Sequence, residues 1–458
     1  MVLYRLGQLI FISRQSILKF FVVFFLFNSC SKENAEGETE VPISEERVGW
    51  VKTFGGSKND VAQAVVPTAD GGFAILGHTQ SNDGDLLGKT DESFDVWLLK
   101  FDVESNLSWN KTYGSNGNDR GMSILEKQDG GYAILGFKES TVSDDQSNTL
   151  SRNVWLASLD QLGNVIWEKS YGYSGLDYGT HLIQTQDGGY LLVGVLDVTA
   201  SAGLGNRITQ RHAGGDYWAI KLDASGNIQW RNYYGGGFTD TPYDVTATND
   251  GGYIIVGSSD SNETDITNNR GGYDFWVVKI SSEGTLLWEK SFGGNQIDEA
   301  HAILTDREGN FIIVGDTRSG DQNVSLNKGG ADLWIIKISP DGELLQEKTF
   351  GGSSFDVGRS LFLMSNNGLL ISGSSRSLDG DLTKNQGQND AWILHTDIHG
   401  NTLHSQHTYG GSNIDFANDA IQLQNGFVIG VGETSSNDGD LNENRGFSDL
   451  LVIKMDME

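Results

Sequence analysis

The 458-residue sequence holds a single cysteine, Cys30. No internal disulfide can form, so the fold must be stabilised by packing and hydrogen bonds. Proline is scarce, at 4 residues, which excludes a polyproline or collagen-like chain. Positive charge is also short: 32 Lys and Arg stand against 61 Asp and Glu, a formal net charge of −29. So acidic a surface repels phosphate backbones and argues against nucleic-acid binding, while leaving cation binding or plain solubility open. No Gly-x-Ser-x-Gly elbow, His-Glu-x-x-His helix or phosphate-binding Gly loop occurs. Carboxylates are too many for a catalytic pair to be singled out without distances.

Glycine is abundant at 60, alongside 11 Trp, 14 Tyr and 21 Phe. That mixture points to tight turns between well-packed strands, since disordered chains are poor in aromatics. The N-terminus differs from the rest. Arg5, Arg14 and Lys19 precede the apolar run Phe20-Phe21-Val22-Val23-Phe24-Phe25-Leu26-Phe27, then Asn28-Ser29-Cys30. The run is too short to span a bilayer and suits a signal-peptide core. Residues 1–29 are expected to be a signal peptide, and 30–46 an acidic, aperiodic tether. Residues 47–458 are expected to form one folded domain.

That domain is repetitive. An aromatic-Gly pair recurs at Phe54-Gly55, Tyr113-Gly114, Tyr171-Gly172, Tyr234-Gly235, Phe292-Gly293, Phe350-Gly351 and Tyr409-Gly410. Six positions after each aromatic stands Asp60, Asp119, Asp177, Asp240, Asp298, Asp356 or Asp415. Each unit holds four short β-rich runs between Gly/Asp/Asn turns, the second and third almost continuously apolar. Strands buried on both faces have that composition, and propeller blades supply the burial. The seventh unit ends after its third run, Asp449-Leu450-Leu451-Val452-Ile453-Lys454. An orphan fourth run, Val48-Gly49-Trp50-Val51-Lys52-Thr53-Phe54, opens the domain. The expected fold is therefore all-β: a seven-bladed β-propeller of four-stranded blades, closed by the N-terminal strand completing the last blade. Every Trp falls in a third or fourth run, so all 11 are expected in the core. Each would contribute about 5 kcal/mol gross for ~200 Å² buried.

The Leu26-Phe27-Asn28-Ser29-Cys30 ending resembles a bacterial lipoprotein processing site, which implies Cys30 as the lipidated N-terminus and a membrane partner through the anchor. Ser31 follows it in place of the Asp associated with inner-membrane retention, which favours the outer membrane or cell surface. The DGG-[FY], D-x-W-x-x-K and Gly-Gly-x-x-x-Asp elements resemble Bacteroidota-type β-propeller-repeat lipoproteins over residues 48–458. The likeness extends loosely to endoglucanase-like and quinoprotein-like propellers. It concerns the scaffold and transfers no catalytic residue.

Within a blade the fourth-to-first and second-to-third connections share one face. The second-to-third connections are long and polar, so that face is the expected binding face. Three of them carry acidic pairs, Asp83 and Asp85, Asp379 and Asp381, and Asp438 and Asp440. These are either hard oxygen ligands for Ca²⁺ or solvated Asp-Gly turns. The third unit is the longest, and its connection holds Arg207, Arg211 and His212; nearby turns offer Tyr173, Tyr178, Phe238 and Tyr243. Aromatic faces with cations around them suit sugars, so these seven are the candidate ligand-binding residues. The seven start-of-blade Asp residues either form an anionic ring or brace their own Gly-rich turns. His395, His399, His404 and His407 lack compelling metal-ligand spacing and suit a degenerate blade. The expected function is binding of a glycan or protein by a monomer on the long-loop face. A polysaccharide-active enzyme on the same face is the alternative, with a quinone-dependent dehydrogenase third.

Overall fold

The computed structural model describes residues 49–457 except 87, 144–147, 174 and 197–214; side chains of 141–149 are likewise outside the description. The expected signal peptide, Cys30, the tether, Arg207, Arg211 and His212 lie outside the described residues. Among the described residues every regular element is a strand. There are 28, arranged in seven four-stranded antiparallel sheets. The first blade shows the plan: Asp60–Pro67, Phe73–Thr79, Asp95–Phe101 and Leu107–Tyr113 form a meander in chain order.

Closure follows the expected route. Trp50–Phe54 pairs antiparallel with Asp449–Met455, Trp50 opposite Lys454 and Phe54 opposite Leu450. Packing seals the same seam, where Ile421, Ile429, Val431 and Val452 of the last blade share a cluster with Ala62, Phe73, Ile75 and Trp97 of the first. The Val65 N–H also donates across it to Asp419 at 2.9 Å. Closure gives the last blade its fourth strand, so the ring presents only the short outer edges of its blades.

In five of the seven blades the second and third strands are buried along their whole length, as in Phe311–Thr317 and Asp332–Ile338. The six third-strand Trp residues, 97, 155, 218, 276, 334 and 392, are at most 1% exposed. Most direct their indole N–H to the neighbouring fourth strand, as Trp155 does to Glu168 at 2.7 Å and Trp334 to Glu347 at 3.0 Å. The fourth-strand Trp residues depart from expectation. Trp109, Trp167, Trp230 and Trp288 are only partly buried, because the outermost strand has a sheet neighbour on one side alone. The second blade also departs: its second and third strands run on as a hairpin, Tyr132–Ser143 against Asn148–Leu159, where a polar loop was expected.

Each start-of-blade Asp braces its own turn. Asp298 accepts from Gly294 N–H at 2.7 Å and Ser319 Oγ at 2.9 Å, and also from Thr317 Oγ1. All seven are fully buried. The glycine of the aromatic-Gly pair sits between that Asp and the one opening the preceding third strand. At Gly235 a Cβ would lie 2.5 Å from Asp216 Oδ1 and 2.6 Å from Asp240 Oδ2, so only glycine fits. The DGG turns and the Lys of D-x-W-x-x-K are partners too: Lys100–Asp70, Lys221–Asp187 and Lys279–Asp250 pair at 2.7–2.8 Å, and in the fifth blade, which lacks the DGG, Lys337 pairs instead with Asp306 at 2.8 Å. In the sixth blade His395 and Asn366 replace both members of this pair, 3.3 Å apart. The four His residues of that unit fit blade variation.

Candidate functional site: the axial channel

The innermost strand of every blade carries one extra residue. Pairing with the second strand shifts register between Ala62 and Ala64, Gly121 and Ser123, Gly179 and His181, and Pro242 and Asp244. It shifts again between Ala300 and Ala302, Gly358 and Ser360, and Ala417 and Asp419. A bulge leaves its extra residue unpaired and re-aims its side chain. The bulged residues are Gln63, Met122, Thr180, Tyr243, His301, Arg359 and Asn418, and all seven line one central cavity of about 750 Å³. The cavity reaches Asn59, Phe94 and Ser448 on the face of the long connections.

Opposite each bulge the second strand has glycine: Gly77, Gly136, Gly194, Gly257, Gly315, Gly373 and Gly432. At Gly315 a Cβ would press into the Glu299 carbonyl oxygen, 2.8 Å from Phe275 Cζ and 2.9 Å from Ala300 Cα. The glycine makes room for the bulge.

The residue after each bulge forms a second ring: Ala64, Ser123, His181, Asp244, Ala302, Ser360 and Asp419. Its polar members satisfy backbone donors of the next blade. Asp244 accepts from Ile303 N–H at 2.8 Å, Asp419 from Val65 N–H, and Ser360 from Ala420 N–H at 3.2 Å. Burial pushes the Asp419 carboxyl up to about 6. His181 Nδ1 stands 3.3 Å from Asp244 Oδ1.

The channel wall is asymmetric. Blades three to six present Tyr178, Tyr243, His301 and Arg359 in succession. His301 Nε2 lies 3.1 Å from Asp316 Oδ1, and its ring meets Tyr243 edge-on, with centroids 4.9 Å apart. Burial, chiefly, pushes the Tyr243 hydroxyl up to about 12. Arg120 lies over the Phe94 ring, 4.5 Å from its centroid. Burial, with the Arg120 charge, pushes His78 down to about 3, so His78 is neutral. Neither guanidinium, of Arg120 or Arg359, is hydrogen-bonded or ion-paired to another described residue, while Glu139 and Glu433 act on the Arg120 charge.

Of the aromatics singled out from sequence, Tyr178 and Tyr243 meet in the channel. Tyr173 sits elsewhere, its hydroxyl held by Arg231 at 2.8 Å and Tyr233 at 3.2 Å. Phe238 is exposed on a Gly-rich turn. The acidic loops staple themselves to those turns. Asp83, Asp379 and Asp438 each accept a Ser N–H at 2.7 Å. Asp85, Asp381 and Asp440 accept Gly55, Gly351 and Gly410 N–H and pair with Arg445, Lys328 and Lys384. Among the described residues no group of three or more His, Cys, Asp or Glu is placed to hold a metal ion. Sequence reasoning missed Gln63, Met122, Thr180, His301, Arg359 and Asn418. Seven glycines inside apolar strands were the signal that could have found them.

No family model matches the chain. Regulatory protein FlaEY of Caulobacter vibrioides is 22% identical over 399 residues, covering 78% of this chain and 40% of that protein. The chain thus spans well under half the length of that relative. Among solved structures, a Dyadobacter fermentans protein of unknown function is 11% identical, with 88% of this chain and 98% of that one covered and a TM-score of 0.45. Sqt1 from Chaetomium thermophilum is 11% identical, with 89% and 100% covered and a TM-score of 0.47. Quinohemoprotein alcohol dehydrogenase from Pseudomonas putida is 9% identical, with 88% and 76% covered and a TM-score of 0.42. At such identities and scores these likenesses carry nothing about ligand or activity.

Proposed function

We propose that this protein is an exported, lipid-anchored binding module, monomeric and held at the outer membrane or cell surface, that takes a glycan or protein ligand into its axial channel from the long-loop face. The observation that supports the reading is the ring of seven bulges. The surrounding scaffold repeats blade after blade, yet the side chains it aims at the axis are seven different residue types. A cavity of about 750 Å³ falls within the ordinary size of ligand sites. The connection carrying Arg207, Arg211 and His212 joins the second and third strands of the blade that supplies Tyr178 and Thr180, which suits a role at the rim. The Thr180→Trp variant, which narrows the channel, should weaken binding to any glycan captured from an array at least about tenfold while keeping the wild-type melting temperature. Unchanged capture would move the site off the axis.

A polysaccharide-active enzyme is the second reading, favoured by the Asp316-oriented His301 beside Tyr243. A carboxylate-held imidazole is a general acid–base arrangement. Release of new chain ends from glucans or uronans, lost in His301→Ala, would support it; intact polymer after long incubation would remove it.

A further inference from the structure

We infer that the channel takes an acidic sugar chain, a uronate oligomer whose carboxylate is held by Arg359 with Arg120 nearer the mouth. The inference rests on the axial-channel reading and specifies its ligand. It starts from an imbalance inside the channel. The carboxylates there are already engaged. Asp316 meets His301, Asp244 holds the Ile303 N–H and faces His181, and Asp419 holds the Val65 N–H. Glu433, pushed up by burial, is held by Ser448. Glu299, beside the channel, is the acid without a hydrogen bond or ion pair among the described residues.

The guanidiniums have no hydrogen-bond or ion-pair partner among the described residues. Arg359 is exposed to the channel, and Arg120 lies over the Phe94 ring, within electrostatic reach of Glu139 and Glu433. An arginine presents a planar fork of donors that matches a carboxylate in bidentate fashion, and it cannot discharge by losing its proton. The Arg359 fork stands in a cavity whose carboxylates are mostly engaged by backbone donors or histidines, in a protein carrying −29 overall. Screening over ~8 Å at physiological salt keeps the acidic exterior from cancelling its attraction for a bound anion.

The other lining groups define the rest of the ligand. Tyr178, Tyr243 and Phe416 offer ring faces for the C–H sides of sugars. Gln63, Thr180 and Asn418 offer amides and a hydroxyl for ring hydroxyls. A simple inorganic anion would have no use for this mixed wall, whereas a chain of carboxylated sugar rings uses both parts.

The test is calorimetric titration of the full protein with tetragalacturonate, its methyl ester and cellotetraose. Tetragalacturonate should bind at least about tenfold tighter than the ester, the equivalent of one charge-assisted hydrogen bond, and should weaken as salt rises. Arg359→Ala should lose at least about tenfold and Arg359→Lys less, since lysine keeps the charge without the fork. Circular dichroism should show both variants folded. Equal affinity for acid and ester, or an Arg359→Ala variant that binds like wild type, would overturn the acidic ligand. The channel itself would then stand or fall on Thr180→Trp: weakened binding keeps it, unchanged binding discards it. Failure of all three probes to bind would overturn the uronate assignment outright.

Discussion

Asp274 shows how much strain the blade junctions carry, and replacing it by asparagine tests that directly. Its Oδ2 accepts the Arg270 N–H at 2.8 Å, whereas its buried Oδ1 has no donor among the described residues. Gly293 lies between it and Asp298, so that a Cβ there would be 2.5 Å from an oxygen of each. Burial, then the nearby Asp298 charge, pushes the carboxyl from its ordinary 3.8 up to about 7. The native state therefore holds this proton more tightly than the unfolded chain. Its contribution to stability is full below about pH 4, falls as pH rises toward 7, and is lost above that. A rise from 3.8 to about 7, at ~1.4 kcal/mol per pH unit, costs about 4 kcal/mol at pH 8. Asparagine can still accept from Arg270 and carries no charge, and the second blade already has Asn153 at the equivalent position. The Asp274→Asn variant should be more stable than wild type at pH 8 by about 1–4 kcal/mol, with a shallower fall between pH 4 and 7. Urea unfolding midpoints taken at unit steps from pH 5 to 8 measure both. A variant less stable at pH 8, on a curve parallel to wild type, would show that the ionised carboxylate supports the fold.

Other perturbations follow from the same geometry. Asp95, Asp332, Asp390 and Asp449 occupy the same junction position and are likewise pushed to about 6, chiefly by burial. Asp187 and Asp250 are held near 2, chiefly by Lys221 and Lys279. A pH scan of melting temperature should thus peak near about pH 4, falling on the alkaline side as pH rises through the raised values of the first group and on the acid side as the second is protonated. Gly315→Ala should destabilise by about 1–3 kcal/mol, since backbone must move, and should weaken ligand binding by displacing His301; chemical denaturation and titration check the two effects. In the sixth blade His395→Lys alone strands an ammonium beside Asn366. Adding Asn366→Asp rebuilds the pair of the other blades, and a double-mutant cycle should give a coupling of about 1–3 kcal/mol. Cys30→Ser, under the anchor proposal, should release the protein from the membrane fraction, read by blotting after carbonate extraction.

The parts of the fold legible in the sequence are those that every blade must solve alike. Seven aromatic-Gly pairs and seven following Asp residues revealed blade number because each turn needs the same carboxylate on the same N–H. The orphan strand revealed closure because a blade lacking its outer strand leaves backbone donors unpaired. What repetition could not convey was depth. The third- and fourth-strand Trp residues recur with equal regularity, yet only the third strand lies between two others. The hairpin of the second blade stayed hidden because extended pairing of Thr141-Val142-Ser143 with Asn148-Thr149-Leu150 depends on register, which composition does not set.

The candidate site was harder to see for a related reason. Identical packing demands in a closed ring account for identical residues, so what recurs in all blades is already explained by the fold. The positions that the ring leaves free are those facing its axis, where no neighbouring sheet dictates shape. There the constant features, a bulge and its glycine, are structural, while the variable side chain is the part available to a ligand. The long connections drew attention because length is visible in a sequence. A one-residue bulge is not, except through seven glycines whose absent side chains let Arg359, His301, Tyr243 and their counterparts turn inward. In this propeller the small departures from sheet regularity, more than the large loops, determine what chemistry lines the channel.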